Sequence, residues 1–225
     1  MSKFLVVSPH PDDAEIALGG LISMFLRDGH EVTIAVCTGE GDLQMVHSGA
    51  NVPFERRREE QRCAARELGG AEVRFLELAP ASKFDQIPQS KMVTAFDGLF
   101  GEYDSVALPL PSYNDDHCRV WQAGMSAFRP GKCDKVTVLA YEQPFGNCHG
   151  VQITGGFGKR YYPITATALA NKKRAIHEHR SQMHGRDHTI YGEQGAETHA
   201  RLRGSEIGVH FAELVYVVRE IGRVN

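Results

Sequence analysis

Residues 4–20 read FLVVSPHPDDAEIALGG. The apolar run Phe4-Leu5-Val6-Val7 has the length and character of a buried strand. Ile16, Leu18, Leu21, Ile22 and Phe25 then recur at helical spacing, so the stretch marks a strand that ends and a helix that begins. Pro9 and Pro11 bar regular helix before Asp12, and Asp12 or Asp13 can cap the helix that follows. Into this turn the chain packs one imidazole and three carboxylates: His10, Asp12, Asp13 and Glu15. So many acids together are costly unless a cation neutralises them. Nitrogen plus carboxylate donors suit a borderline metal such as zinc. His10 and Asp13 are three apart and share a face where the turn tightens into helix. Asp12 then points away by roughly a third of a turn, free to address a water rather than the ion. The plainer reading is that the two aspartates only cap a helix and His10 only fills a turn.

Working outward, the chain has 225 residues, 42% of them hydrophobic and 24% charged, which suits one α/β domain with a sizeable core. Its net charge of -3 gives no overall attraction to nucleic acid or an anionic membrane. Five scattered cysteines with no CxxC pair read as reduced thiols of a cytoplasmic protein. The N-terminus runs directly into the first strand, so no signal peptide is expected. No apolar run approaches the ~18 residues of a membrane span.

The first strand is expected over Lys3–Ser8, with a helix from Asp13 to about Asp28 closed by Gly29. Further strands are expected at Glu31–Cys37, Val73–Leu78, Ser105–Leu110, Lys135–Tyr141 and Glu213–Val218. Further helices are expected at Pro53–Leu68, Lys91–Phe100 and Thr165–Arg180. Strands alternating with helices predict a doubly wound, Rossmann-like, mostly parallel sheet in a single domain over residues 1–225. In such sheets ligands bind beyond the carboxyl ends of the strands, where the strand order reverses. With the common order 3-2-1-4-5, the loop after the fourth strand faces the His10 turn. That loop, Pro111 to His117, brings another imidazole and two more acids.

With HPDD after an apolar strand and AEIALGG beyond it, the chain resembles the LmbE-like (PIG-L) de-N-acetylases. These are zinc enzymes that remove acetyl from N-acetylglucosamine-type sugars. The second motif of that family usually reads H-P-D-H, and its last histidine is the third metal ligand. Here that position is His117, in NDDHCRVWQAGMSAFRP. The resemblance therefore implies Zn²⁺ held by His10, Asp13 and His117, with Asp12 as general base. A matching R-x-x-E helix implies Arg57 as a substrate contact. Where the family usually carries a histidine this chain has Asn114, which can donate a neutral hydrogen bond to an oxyanion but cannot carry a proton. The similarity runs nearly end to end, though its specific part is the two metal motifs.

The expected function is hydrolysis of an N-acetyl amide on a sugar or glycoconjugate, giving acetate and a free amine. The same metal site would serve a hydratase or lyase acting on an unsaturated carboxylic acid, and the motifs do not separate the two. A two-His, one-carboxylate iron site is a third chemistry. A dinucleotide-binding domain is disfavoured, because G-x-G-x-x-G is absent after the first strand and acids stand where a pyrophosphate would sit. The expected partner is a small acetylated sugar, not nucleic acid, and a homo-oligomer is left open.

Some stretches carry weaker expectations. Thr38 to Asp42 reads as a loop on the rim of the site, since a P-loop lysine is missing. The glycine-rich segment after Tyr141 reads as an irregular lid or connection, with His149 and Tyr161 as candidate substrate contacts. His177, His179, His184 and His188 read as surface histidines.

Overall fold

Strand β1, Lys3–Ser8, is buried from its second residue onward, as its unbroken apolar run requires of a strand covered on both faces. The computed structural model describes residues 1–39, 43–44, 51–81, 83–144, 156–183, 189 and 191–221. After β1 come α1 (Asp13–Arg27), β2 (Glu31–Thr38), the two-residue strands β3 (Leu43–Gln44) and β4 (Asn51–Val52), α2 (Phe54–Glu67) and β5 (Glu72–Ala79). Then follow α3 (Gln89–Leu99), β6 (Ser105–Pro109), α4 (Asp115–Ala127), β7 (Thr137–Tyr141) and β8 (Gly158–Pro163). The chain finishes with α5 (Ala166–Glu178), α6 (Arg180–Met183), α7 (Glu193–Ser205) and β9 (Ala212–Arg219).

One seven-stranded sheet runs β5-β2-β1-β6-β7-β9-β8. The pairings from β5 to β7 are parallel, and they reproduce the expected 3-2-1-4-5 order. Two antiparallel strands, β9 and β8, extend the sheet past β7. The segment expected to be an irregular lid is thus corrected over residues 158–163, which form the edge strand. Residues 145–155, with His149, lie outside the described residues.

Both faces of the sheet are covered. Leu5, Val7, Phe96, Phe100, Val120 and Trp121 belong to one core. Phe4, Val6, Leu18, Leu21, Ala64 and Ala175 belong to the other. Alternate residues of β1 serve opposite faces, as the period of a strand dictates.

The ALGG sequence of α1 has an architectural cause. The helix is broken at Leu18 (φ -126°, ψ 16°). The amides of Gly20 and Leu21 donate instead to the Glu213 carboxylate, at 3.0 and 2.7 Å. Lys172 closes the gap, donating to Ala17 O at 3.3 Å and to Glu213 Oε1 at 2.6 Å. A Cβ on Gly19 would lie 2.8 Å from Lys172 Cγ, and one on Gly20 would lie 2.6 Å from Ile164 Cδ1. The pair of glycines lets this buried ion pair reach the backbone. Past β7, Glu142 ties α7 to the sheet, accepting from Arg203 Nε and Nη2 at 2.6 and 2.8 Å.

Candidate metal and catalytic site

The turn after β1 is pinned group by group. Ser8 Oγ donates to His10 O at 2.7 Å and accepts from Ala14 N at 3.2 Å. Pro9 O accepts from Thr38 N and Oγ1 at 3.1 and 2.6 Å. Pro11 O accepts from Arg57 Nη2 at 3.1 Å. The expectation that an aspartate caps α1 is corrected. Asp12 stands at the N-cap but makes no side-chain cap bond, and the Asp13 carboxylate turns back onto the His10 amide at 2.8 Å. Asp12 is also held at φ 112°, a left-handed conformation that costs a non-glycine residue ~1–3 kcal/mol. Such a conformation persists only where the surroundings over-determine it.

The crevice between β1 and β6, where the connections turn to opposite sides of the sheet, holds the two motifs. Asp13 stands between two imidazoles, with Oδ2 3.4 Å from His10 Nδ1 and Oδ1 3.4 Å from His117 Nε2. One donor atom from each of these residues falls within 4.8 Å of the others. His10 Nε2 lies 2.8 Å from Asp116 Oδ2, and Asp116 Oδ1 accepts from Phe84 N at 3.3 Å. With Nε2 engaged by Asp116, Nδ1 is the His10 ring nitrogen that faces Asp13. A carboxylate behind a histidine is the usual support of a metal-bound imidazole. Gln143, just past β7, donates to Asp13 Oδ1 at 2.9 Å.

Electrostatics tell the same story. Burial works against charge on His10, but the hydrogen bonds to Asp116 and Asp13 outweigh it and lift the imidazole to about 9. Burial and the neighbouring Asp13 charge push Asp12 up to about 6, against the pull of Arg57. Asp13 itself is also buried, yet the His117 and His10 partners hold it well below the usual carboxylate range. Two adjacent carboxylates are thus driven apart, one toward a group that trades protons and one toward a permanent anion.

Unpartnered atoms lie in and behind the cleft. Among the described residues, nine buried side-chain nitrogen and oxygen atoms have no hydrogen-bond partner. Six of them belong to Glu15, Arg57, His117, Gln143 and His179. Arg57, His117 and Gln143 line the cleft while Glu15 and His179 sit behind it, and buried polar atoms without protein partners are commonly met by a water or ligand. The donor set of two nitrogens and one carboxylate fits a divalent ion with positions open for other ligands.

The predicted residues converge. His10, Asp12, Asp13, Arg57, Asn114 and His117 all line one cleft of ≈ 200 Å³. Arg57 is 3% exposed, so it forms the cleft floor rather than an outstretched arm. Asn114 caps α4, its Oδ1 accepting from Asp116 N at 3.0 Å, which leaves its Nδ2 as the remaining side-chain donor. Sequence reasoning missed Asp116, Gln143 and Gln61 as supports. It also missed a wall of Ile16, Met183, Tyr113 and Tyr191, in which the two tyrosine hydroxyls are hydrogen-bonded to each other.

Other expectations are corrected. Tyr161 lies on β8 and donates to Glu206 Oε2 at 2.7 Å, away from the cleft. His177 is exposed as expected, but His179 is fully buried beside Glu15, its Nε2 3.5 Å from Oε2. His184 and His188, like Glu40, Gly41 and Asp42, lie outside the described residues. Gly39 is explained structurally, since a Cβ there would lie 2.8 Å from the Glu77 backbone.

Residues 5–128 match the family model PIG-L, described as GlcNAc-PI de-N-acetylase. Over 104 residues the chain is 40% identical to 2′-N-acetylparomamine deacetylase of Streptomyces fradiae; the match covers 44% of this chain and only 37% of that protein. The fold resembles the zinc-inhibited form of teicoplanin deacetylase Orf2, with a TM-score of 0.78, 17% identity, and 99% and 100% of the two chains covered. It also resembles GalB, the 4-carboxy-2-hydroxymuconate hydratase of Pseudomonas putida KT2440, with a TM-score of 0.69, 20% identity, and 100% and 99% covered. With more than half of its length matched by the family model, and both the His10 and His117 motifs inside the matched region, the chain belongs to the GlcNAc-PI de-N-acetylase (PIG-L) family.

Proposed function

We propose that this protein is a zinc-dependent hydrolase that removes acetyl from an N-acetylglucosamine-type sugar or glycoconjugate, releasing acetate and a free amine. The observation that carries the reading is the His10–Asp13–His117 group at the sheet's switch point, in a chain of this family. His10 Nδ1, the Asp13 carboxylate and His117 Nε2 would hold the ion. When bound, a divalent ion supplies Lewis acidity, which polarises an amide carbonyl and makes a water more acidic.

The chain's own residues supply the rest. Asp12, half-buried and raised to about 6 by burial and Asp13, takes a proton from the attacking water as general base. The water oxygen bonds to the acetyl carbon, and Asn114 Nδ2 donates toward the oxygen that gains charge. When the carbon–nitrogen bond breaks, Asp12 returns its proton to the departing amine. Arg57 places positive charge at the cleft floor, toward a substrate oxygen. The wall of Ile16, Met183, Tyr113 and Tyr191 gives the sugar ring an apolar face. We place the enzyme in the cytoplasm, in keeping with Cys37, Cys63, Cys118 and Cys133, none of which is in a disulfide. No helix among the described residues is long and apolar enough to cross a membrane.

The likeness to GalB keeps hydration of an unsaturated acid as the second reading. One panel decides between them. Acetate release is measured from N-acetylglucosamine conjugates, and loss of enoate absorbance from unsaturated acids, with metal-loaded and chelator-treated enzyme. Metal-dependent acetate release is expected; enoate loss without acetate release would overturn the proposal. Metal analysis separates zinc from iron.

A further inference from the structure

Helix α2 turns two side chains, one helical turn apart, toward the strained turn. Arg57 holds Pro11 O, and Gln61 Oε1 accepts from the Asp12 amide at 3.3 Å. Gln61 is fully buried. Its Nε2 donates to Glu15 Oε1 at 2.6 Å, which fixes the amide with its oxygen toward Asp12. Glu15 is backed in turn by His179, and both are fully buried. The Asp12 carbonyl is taken by Ile16 N at 3.0 Å. Among the described residues, the Asp12 carboxylate has no hydrogen bond of its own. Its direction is therefore set by its backbone, and the backbone is held at an unfavourable φ of 112°.

We infer that Gln61 is a positioning residue. It clamps the Asp12 amide in the left-handed conformation and so aims the Asp12 carboxylate at the His10–Asp13–His117 cluster. This deepens the proposed function and rests on Asp12 as its base. Without the clamp, the buried Asp12 amide loses its partner, and the contact that directly opposes relaxation of φ to an ordinary backbone conformation is gone. That relaxation swings the carboxylate away, although every metal-ligating side chain remains. Catalytic groups misplaced by about 1 Å lose about 100-fold in rate.

The test uses Gln61→Met, which keeps the length and removes both hydrogen bonds. Expected is a fall in kcat of about 100-fold for acetate release, with KM within about twofold and metal content per chain unchanged. In an Asp12→Ala background, Gln61→Met should add no further loss, because the residue it serves is gone. An unchanged kcat, a loss explained by lost metal, or a full additional loss on top of Asp12→Ala would each overturn the inference. If Gln61→Met does not fold, Gln61→Asn, which withdraws the same amide by one methylene, takes its place with the same expectations. A crystal structure reads the clamp without any substrate. Asp12 should leave positive φ in the variant, and an Asp12 backbone unmoved there would overturn the inference even if the wild type proved to have a different activity. Absence of acetate release by the wild type would instead overturn the proposed function.

Discussion

Helix α1 meets two buried charged clusters, and they are built on opposite principles. Midway along it, Lys172 and Glu213 are 1% and 2% exposed. Their charges cancel, and their hydrogen bonds go to each other and to the backbone of Ala17, Gly20 and Leu21. At its N-terminal end, His10, Asp12, Asp13, Glu15 and His117 are crowded together, and among the described residues Glu15 Oε2 and His117 Nδ1 have no hydrogen-bond partner. The first cluster is complete and holds the helix to the sheet. The second is left partly unsatisfied by protein atoms and is where we propose that a cation and a substrate bind. Burial of charge by itself is weak evidence for function; burial of charge left unsatisfied is much stronger.

Asp12→Asn should break this contrast most visibly. It should lower deacetylation by ~100–10,000-fold while metal content per chain stays at the wild-type value. The same change removes a charge beside Asp13, so the melting temperature of the metal-free protein should rise slightly; a fall would place Asp12 among the structural charges. Lys172→Met should do the reverse. Leaving Glu213 buried without its partner should cost ~3–5 kcal/mol in urea unfolding, with kcat per folded molecule unchanged.

Asp116→Asn sharpens the boundary between the clusters, since Asp116 supports His10 without facing the open side of the site. Metal affinity, measured by competition with a chelator, should weaken ~10–100-fold, with little change in stability. The smallest effect concerns the satisfied network at Glu142. Burial raises its carboxyl, but His199 and Arg203 more than compensate and bring it down to about 2. A lowered folded value contributes stability above the unfolded value of 4.5, and that stability is lost as pH falls through about 2. The stability gap between wild type and Glu142→Gln should therefore be widest above pH 4.5 and close progressively toward pH 2 in denaturant titrations. A gap independent of pH would contradict this.

The same contrast explains what was legible in the sequence. The five parallel strands followed from apolar runs alternating with helical periods, and their order from the topology common to such sheets. The edge strand β8 did not, because Gly158–Pro163 is only half-buried and its partner β9 begins 49 residues after β8 ends, at Ala212. Strands β3 and β4 are too short to leave a pattern. In the site, His10, Asp13 and His117 were legible because each stands in a local motif at a strand tip. Their supports were not, because they come from distant chain: Gln61 reaches Asp12 across 49 residues and Gln143 reaches Asp13 across 130. His179 misled for the opposite reason. Its neighbours, KKRAIHEHRSQ, are mostly polar, yet the turn after α5 folds it inward onto Glu15.

Anomalous diffraction at the zinc edge from zinc-loaded crystals tests the central claim most directly. One strong peak bonded to His10 Nδ1, the Asp13 carboxylate and His117 Nε2 is predicted. Zinc bound elsewhere, or bound through His10 Nε2 after displacing Asp116, would contradict it.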